Sequence, residues 1–426
     1  MIRLRLLLIL GAVLCAAFAE TAMAAPLRLE RAVIVMRHGV RPPTKSAAAL
    51  ASLSDRPWPD DQAWGAAPGE LTPHGAAAIG KLAASLRGYY SARGLLPARG
   101  GAGPAVAIWA DGGDERTRAT AAAVAQAFDP KAPPAFGAVA EGQKDPLFDA
   151  ASLAGCSEDA EPALAAVTAR GPLRTARVDA GLKRLQRIFA PDGCNGGAGV
   201  CLSDPSALST DRGGVKITGS LATGATLAED LLLEYENAMP PAQLGWGRAS
   251  RADLAVVMPV HDLAADLTRA TPYLAVRHGG PLARAVLGLL GDQDAAPAQS
   301  AGKPLVVIVG HDTNLSNLAG VFGLTWRLPG QPDATAPGTA LAFERWRDPV
   351  TGAAEVRVRV FYQTPDQVRN LSGAINRPIP LSPAICGPST RACSLERLAS
   401  ATERLIPPSC KLDGDRADPF GPRSGG

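Results

Sequence analysis

Ala32-Val33-Ile34-Val35-Met36-Arg37-His38-Gly39-Val40-Arg41-Pro42 is the stretch on which the reading of this chain turns. Residues 32–36 are apolar without interruption, and a glycine follows shortly after. A run this short with that punctuation reads as a buried strand. A histidine between two arginines therefore emerges at the end of a core strand. Two guanidiniums can grip a phosphate through forked hydrogen bonds. A neutral imidazole held between them can attack phosphorus, which makes a phosphoryl-transfer site with a histidine nucleophile. The bland alternative is a basic surface turn, and the fixed order Arg-His-Gly-x-Arg-Pro argues against it.

Two further segments repeat the plan of apolar strand, charged turn and helix. Residues 105–110 lead into Asp114-Glu115-Arg116 and an alanine-rich helix to about Phe128. Residues 305–309 lead into Gly310-His311-Asp312 and a helix to about Val321. In open parallel α/β sheets ligands bind beyond the carboxyl ends of the strands. If the three strands share a sheet, Arg37, His38, Arg41, Arg116, His311 and Asp312 meet in one crevice. A second His-Asp pair, His261-Asp262, follows the apolar run 254–257, and pattern alone leaves both pairs open.

Residues 1–24 read as a secretory signal: Arg3 and Arg5, an apolar stretch over 6–19, and Ala22-Met23-Ala24 as a small-x-small cleavage site. The apolar stretch is short for a membrane span. Leu14 before Cys15 argues against a lipoprotein site. The expected product is exported, periplasmic or secreted, with no membrane association after cleavage. The remaining chain, about 400 residues, is long enough for more than one compact domain. The formal charge of +3 leaves about +2 after cleavage, which is no electrostatic footprint for nucleic acid. A local arginine cluster, and not global charge, must attract an anionic substrate.

Six cysteines remain after cleavage: Cys156, Cys194, Cys201, Cys386, Cys393 and Cys410. An even count in an exported chain reads as disulfides, and sequence alone permits fifteen pairings. Zinc is the weaker alternative, since Cys-x-x-Cys is missing and histidines are few. Thr72-Pro73 opens a helix, threonine as N-cap and proline in the first turn, running to about Arg93 with Gly94 as the stop. Residues 355–362 alternate valine and tyrosine with charge, a half-solvated strand, paired with 341–346 across the turn 348–352. Residues 157–270 have a different texture, with helical patches at 180–189 and 221–236 between glycine-rich breaks. They read as a helical domain inserted into an α/β domain formed by 26–156 and 271–410. Residues 292–302 read as a surface loop, and 411–426 as a disordered tail. No internal repeat is visible.

The segment from Arg37 to Pro43 resembles the Arg-His-Gly-x-Arg-x-Pro start of the histidine acid phosphatases, the phosphatase branch of the histidine phosphatase superfamily. His311-Asp312 resembles the family's late His-Asp pair. Further stretches resemble the enterobacterial periplasmic phytase/acid phosphatase members: Leu71-Thr72-Pro73, Asp114 to Arg118, Gly245 to Arg248, His311 to Leu315, Leu328 to Asp333 and Phe343 to Arg347. The resemblance implies a three-layer α/β domain with a central mixed, mostly parallel sheet and the inserted helical domain. It implies the pairings Cys156–Cys410, Cys194–Cys201 and Cys386–Cys393.

The family pattern makes His38 the nucleophile and Asp312 the general acid for the leaving alkoxide. Arg37, Arg41, Arg116 and His311 hold the phosphoryl group. The arginines should also keep His38 neutral in acid by like-charge repulsion. With arginines supplying positive charge, no metal or other cofactor is called for. Thr44, Lys45, Glu229 and His261 match positions that line the phytase pocket, although a lysine or glutamate is more often a solvated surface group. There a protonated His261 and a partly protonated Glu229 would favour acid. His74 and His278 read as structural. The expected protein is a monomeric acid phosphatase acting on small phosphomonoesters including phytate. A glucose-1-phosphatase or other sugar phosphatase is the alternative within the family, and a catalytically silent phosphate-ester-binding protein the alternative outside it.

Overall fold

The run 32–36 extends into strand β1 (Arg28–Arg37), the middle of the sheet in a computed structural model. It describes residues 26–411 apart from 151–155, 212–213, 292–301, 374–376 and 388–391. The signal segment, most of the loop 292–302 and the tail from 412 fall outside the described residues. Along the chain β1 is followed by β2 (Val106–Ala110), β3 (Phe136–Ala138), β4 (Ala207–Asp211), β5 (Gly214–Thr218) and β6 (Leu305–Gly310). Then come β7 (Ala340–Arg347), β8 (Ala354–Phe361), β9 (Ile379–Leu381) and β10 (Cys393–Ser394). Eight of these form one mixed sheet of order β10-β8-β7-β1-β6-β2-β3, with β9 added on β8. The half from β1 through β6 and β2 to β3 is parallel. From β1 outward through β7 the pairings are antiparallel, and β7 and β8 form the expected hairpin.

Alternation along β1 shows why the run is apolar throughout. Val33 and Val35 face a layer built by helices Pro272–His278, Gly280–Leu289, Asp312–Phe322 and Leu395–Leu405. Ala32, Ile34 and Met36 face helices Pro73–Ser91 and Glu115–Phe128. A strand covered on both faces needs hydrophobic residues at every position. Strand β8, by contrast, alternates buried Val356, Val358 and Val360 with half-buried Arg357 and Arg359. Each fully buried Val or Ile side chain contributes roughly 1.5–3 kcal/mol, so β1 anchors the layers that position its last residue.

Thr72 caps helix Pro73–Ser91 by accepting the Gly75 N–H at 2.9 Å. The helix ends slightly before the expected Arg93. Leu95 N–H turns back to the Tyr90 carbonyl at 3.0 Å, and Gly94 sits at φ +74, the left-handed geometry that ends helices.

Helices Ala176–Phe189, Ser220–Glu236 and Arg251–Arg269 share a core of their own. Val178, Leu182 and Leu185 meet Leu227, Leu231, Leu254, Val257 and Met258 there. The spacing is that of amphipathic helices. Two features of this region escape the pattern reading. Helix Arg251–Arg269 carries Pro259 in its interior, and proline in sequence signals a break. The antiparallel hairpin β4–β5 lies among the helices. Among the described residues no helix is long and apolar enough to cross a membrane.

Cys156 is bonded to Cys410, Cys194 to Cys201 and Cys386 to Cys393. The first bridge spans 254 residues of sequence, and closing so long a loop stabilises by up to about 5 kcal/mol in the chain-entropy model. Non-reducing peptide mapping of the protein without residues 1–24 is expected to return these three pairs and no alkylatable thiol. Loss of the Cys156–Cys410 bridge in a double serine variant should lower Tm far more than loss of either short one.

Candidate active site

Strands β1, β6 and β2 end level with one another: Arg37 lies opposite Gly310, and Ala110 opposite Val309. The residues just beyond are Arg37-His38, His311-Asp312 and Asp111. Backbone bonds lock them together, His38 N–H to the Gly310 carbonyl at 2.9 Å and Asp111 N–H to the Val309 carbonyl at 3.0 Å. The turn after His38 is pinned from the helical side. Gly39 N–H donates to Thr120 Oγ1 at 3.1 Å, and Thr72 N–H donates to the Val40 carbonyl at 3.0 Å. A Cβ at Gly39 would come within 2.8 Å of both Ile79 and Leu71, so only glycine lets the chain pass that close.

His38 is 2 % exposed. Its Nδ1 lies 2.8 Å from the Gly39 carbonyl. A carbonyl only accepts, so Nδ1–H is the donor, and in the neutral ring Nε2 carries the lone pair. Burial pushes the His38 pKa well below the ordinary imidazole value, and the charges of Arg37, Arg41, His311 and Arg116 push it further. The sequence reading anticipated repulsion, and desolvation is the larger cause.

Arg37 is fully buried and held on several sides. It donates to Asp333 Oδ2 at 3.2 Å and to the Thr335 carbonyl at 2.8 Å, and it pairs with Glu229. Arg41 donates to the Pro42 carbonyl at 3.0 Å and lies 3.4 Å from Glu229 Oε1. Arg116 makes a two-pronged pair with Asp114, both contacts at 2.9 Å. Three guanidiniums are thus fixed before any substrate arrives. Glu229 departs from expectation. Burial alone would raise its pKa, but Arg41 and Arg37 outweigh burial and hold it at about 2. It is a carboxylate counter-ion of the arginines, and not a partly protonated group.

His311 Nε2 lies 2.8 Å from Asp111 Oδ2 and 3.4 Å from Asp114 Oδ2. Its ring sits edge-on to His38 with centroids 5.5 Å apart. Among the described residues, Asp111, Asp114 and His311 bring three possible metal-ligating atoms within 4.8 Å of one another. Arg116 and the imidazole engage those carboxylates through hydrogen bonds and ion pairs. Asp312 accepts the Thr313 N–H at 2.9 Å through Oδ1, and its Oδ2 pairs with Arg269. Burial raises its pKa, while Arg269, Arg37 and His261 more than reverse that and hold it well below the usual carboxylate range.

A cavity of about 120 Å³ opens beside this cluster, lined by Thr226, Glu229, His261, Thr268 and Arg269. Thr44 and Lys45 are exposed, with the Thr44 methyl 3.6 Å from where a Gly69 Cβ would lie. Arg116 Nη1 donates to the Gly69 carbonyl at 3.4 Å, which places Thr44 at the rim. The pair His261-Asp262 is split by its helix. Asp262 instead lines a cleft of about 660 Å³ with Pro259, Leu324, Trp326 and Gln331. Burial, reinforced by Asp333, lifts the Asp262 carboxyl to about 7. His74 contacts the Val368 carbonyl at 3.0 Å, and His278 pairs with Glu158.

Comparison with known proteins decides the kinship. The profile of the histidine phosphatase superfamily (branch 2) matches residues 28–169 and 227–363. The chain belongs to that family. It is 31 % identical over 415 residues to phytase AppA of Escherichia coli (strain K12), covering 91 % of this chain and 94 % of the relative. It is 26 % identical over 357 residues to a glucose-1-phosphatase of Salmonella typhimurium, covering 80 % of this chain and 83 % of the relative. A solved Hafnia alvei phytase in complex with myo-inositol hexakis sulphate superposes with a TM-score of 0.82 at 31 % identity. That superposition covers 91 % of this chain and 100 % of the other. The stretch between the two matched blocks, residues 170–226, falls in the helical region.

Membership in the family leaves three polar residues that the pattern reading missed. Asp111 carried a usable signal, since it follows β2 as His38 follows the last residue of β1. Asp333 lies inside Leu328 to Asp333, a stretch noted for its resemblance but given no role. Arg269 ends its helix with no local pattern at all.

Proposed function

We propose that this protein is an exported histidine acid phosphatase that hydrolyses phosphomonoesters, phytate among them, through a phosphohistidine intermediate. The observation that carries the reading is the orientation of His38, with Nδ1–H tied to the Gly39 carbonyl and the Nε2 lone pair left for attack. Arg37, Arg41, Arg116 and His311 hold the phosphoryl oxygens and stabilise the charge that develops on them. Nε2 attacks phosphorus in line with the leaving oxygen. Asp312 protonates that oxygen, then takes a proton from the water that hydrolyses the phosphohistidine. Phosphate must displace Glu229 from part of the arginine cluster, so this carboxylate acts as a placeholder for the anion. Thr44, Lys45 and His261 supply outer contacts for further phosphates. The kinship with a phytase and the sulphated inositol bound by the Hafnia protein support phytate as a substrate.

The test is kcat/KM for phytate, glucose 1-phosphate and p-nitrophenyl phosphate from about pH 3 to 7. Because the His38 pKa is lowered, the imidazole stays neutral below its ordinary value of about 6.5. Activity should therefore persist into acid, with the acidic limb well below that value. A clear preference for glucose 1-phosphate throughout would move the assignment to the sugar phosphatases. No turnover of any ester would leave the silent binding protein.

A further inference from the structure

Asp312 presents a contradiction that the proposed reaction must resolve. A general acid needs a proton, yet the resting carboxylate is paired with Arg269. The groups that face it include Arg269 and His261 from helix Arg251–Arg269 and Arg37 from β1. Glu229 from helix Ser220–Glu236 and Arg116 from helix Glu115–Phe128 also lie within its field. Arg37, Arg41 and Arg116 are each held by at least two other groups. Arg269 differs in its setting. Its side chain is 29 % exposed, it closes a helix, and it lines the 120 Å³ cavity. On the same wall, His261 is 5 % exposed with Nδ1 3.3 Å from the Ala225 carbonyl, and its Nε2 is buried without a hydrogen-bond partner. A ring nitrogen without a partner, which donates once the imidazole is protonated, and a partly exposed arginine side chain are what a second anionic group of a substrate would satisfy; the Thr226 and Thr268 hydroxyls donate to the Ala222 and Ala264 carbonyls of their own helices.

We propose that Arg269 is an exchangeable counter-ion. It holds Asp312 as a carboxylate in the resting enzyme and passes to a non-reacting phosphate of a polyphosphorylated substrate, which frees Asp312 to be protonated. The inference rests on Asp312 being the general acid of phosphomonoester hydrolysis. The steps balance. Asp312 takes one proton from solvent once Arg269 has left. As the Nε2–P bond forms and the ester P–O bond breaks, that proton goes to the leaving oxygen. Asp312, again a carboxylate, accepts a proton from the water that attacks the phosphohistidine. The Nε2–P bond breaks as the water oxygen bonds to phosphorus, Asp312 gives the proton it gained to solvent, and product release returns Arg269 to the carboxylate. Substrates with several phosphates thus switch on their own acid catalyst, whereas a monophosphate must compete with the ion pair.

An opposite charge in contact favours a carboxylate by at least about tenfold in proton affinity. In the parent enzyme the alkaline limb of kcat should therefore lie about one pH unit higher for phytate than for glycerol phosphate. Arg269→Gln should close that gap by raising the glycerol phosphate limb, and should lower the ratio of kcat/KM for phytate over glycerol phosphate by about tenfold or more. Arg269→Lys, which keeps the charge, should retain the gap. Coincident limbs in the parent would overturn the exchange without any variant. So would an Arg269→Gln protein whose activity falls equally on both esters with its limbs unmoved. Failure of the underlying reading looks different: Asp312→Asn would then lose as much on p-nitrophenyl phosphate as on glycerol phosphate.

Discussion

Replacing His38 with alanine is expected to reduce turnover of every substrate by at least about 10⁴-fold, the scale seen when a covalent nucleophile is removed. No neighbouring group can take over. His311 directs its Nε2 at Asp111, Glu229 and Asp312 are carboxylates paired with arginines, and the remaining groups are guanidiniums. The fold should survive, because among the described residues the imidazole hydrogen-bonds the carbonyl of the next residue, Gly39, and meets the His311 ring edge-on. Leaving that buried carbonyl without its donor costs about 1–3 kcal/mol, and the variant should still unfold cooperatively. The check is kcat on p-nitrophenyl phosphate beside a thermal melt. Turnover near that of the parent in a folded variant would remove His38 from the mechanism.

The second large effect is expected at Asp312. Asparagine there should slow esters with alkoxide leaving groups, phytate and glycerol phosphate, by roughly 10²–10⁴-fold. A nitrophenolate departs without a proton and should suffer far less. Asp262→Asn should show no such contrast, since that carboxyl lines the 660 Å³ cleft and not the cavity that Arg269 and His261 line beside Asp312. The reverse result would exchange the roles of the two His-Asp pairs. Steady-state kinetics on the two ester classes with both variants decide it.

The sequence carried the sheet and the residues at its strand ends because both obey short-range rules. Continuous apolarity over 32–36 and 305–309 marks strands buried on both faces, and the charged turns after them mark the ligand end of the sheet. What escaped was long-range. Asp333 reaches Arg37 across 296 residues of chain, and Arg269 reaches Asp312 from the end of another helix. Neither position has a periodicity or a cap to announce it. The charge state of Glu229 escaped for the same reason: the arginines that decide it lie far away in sequence. Helix Arg251–Arg269 was hidden by Pro259, which its flanking turns tolerate. The disulfide pairing came from family resemblance, since cysteine spacing alone left all fifteen arrangements open.

The central claim is a covalent bond between phosphorus and His38. Rapid quench of the enzyme with radiolabelled ester, followed by peptide mapping, addresses it directly. The account predicts an acid-labile, base-stable label on the peptide that contains His38, formed and lost at rates compatible with kcat and missing from His38→Ala. A label on a hydroxyl side chain, or rapid turnover with no label on any peptide, would contradict it.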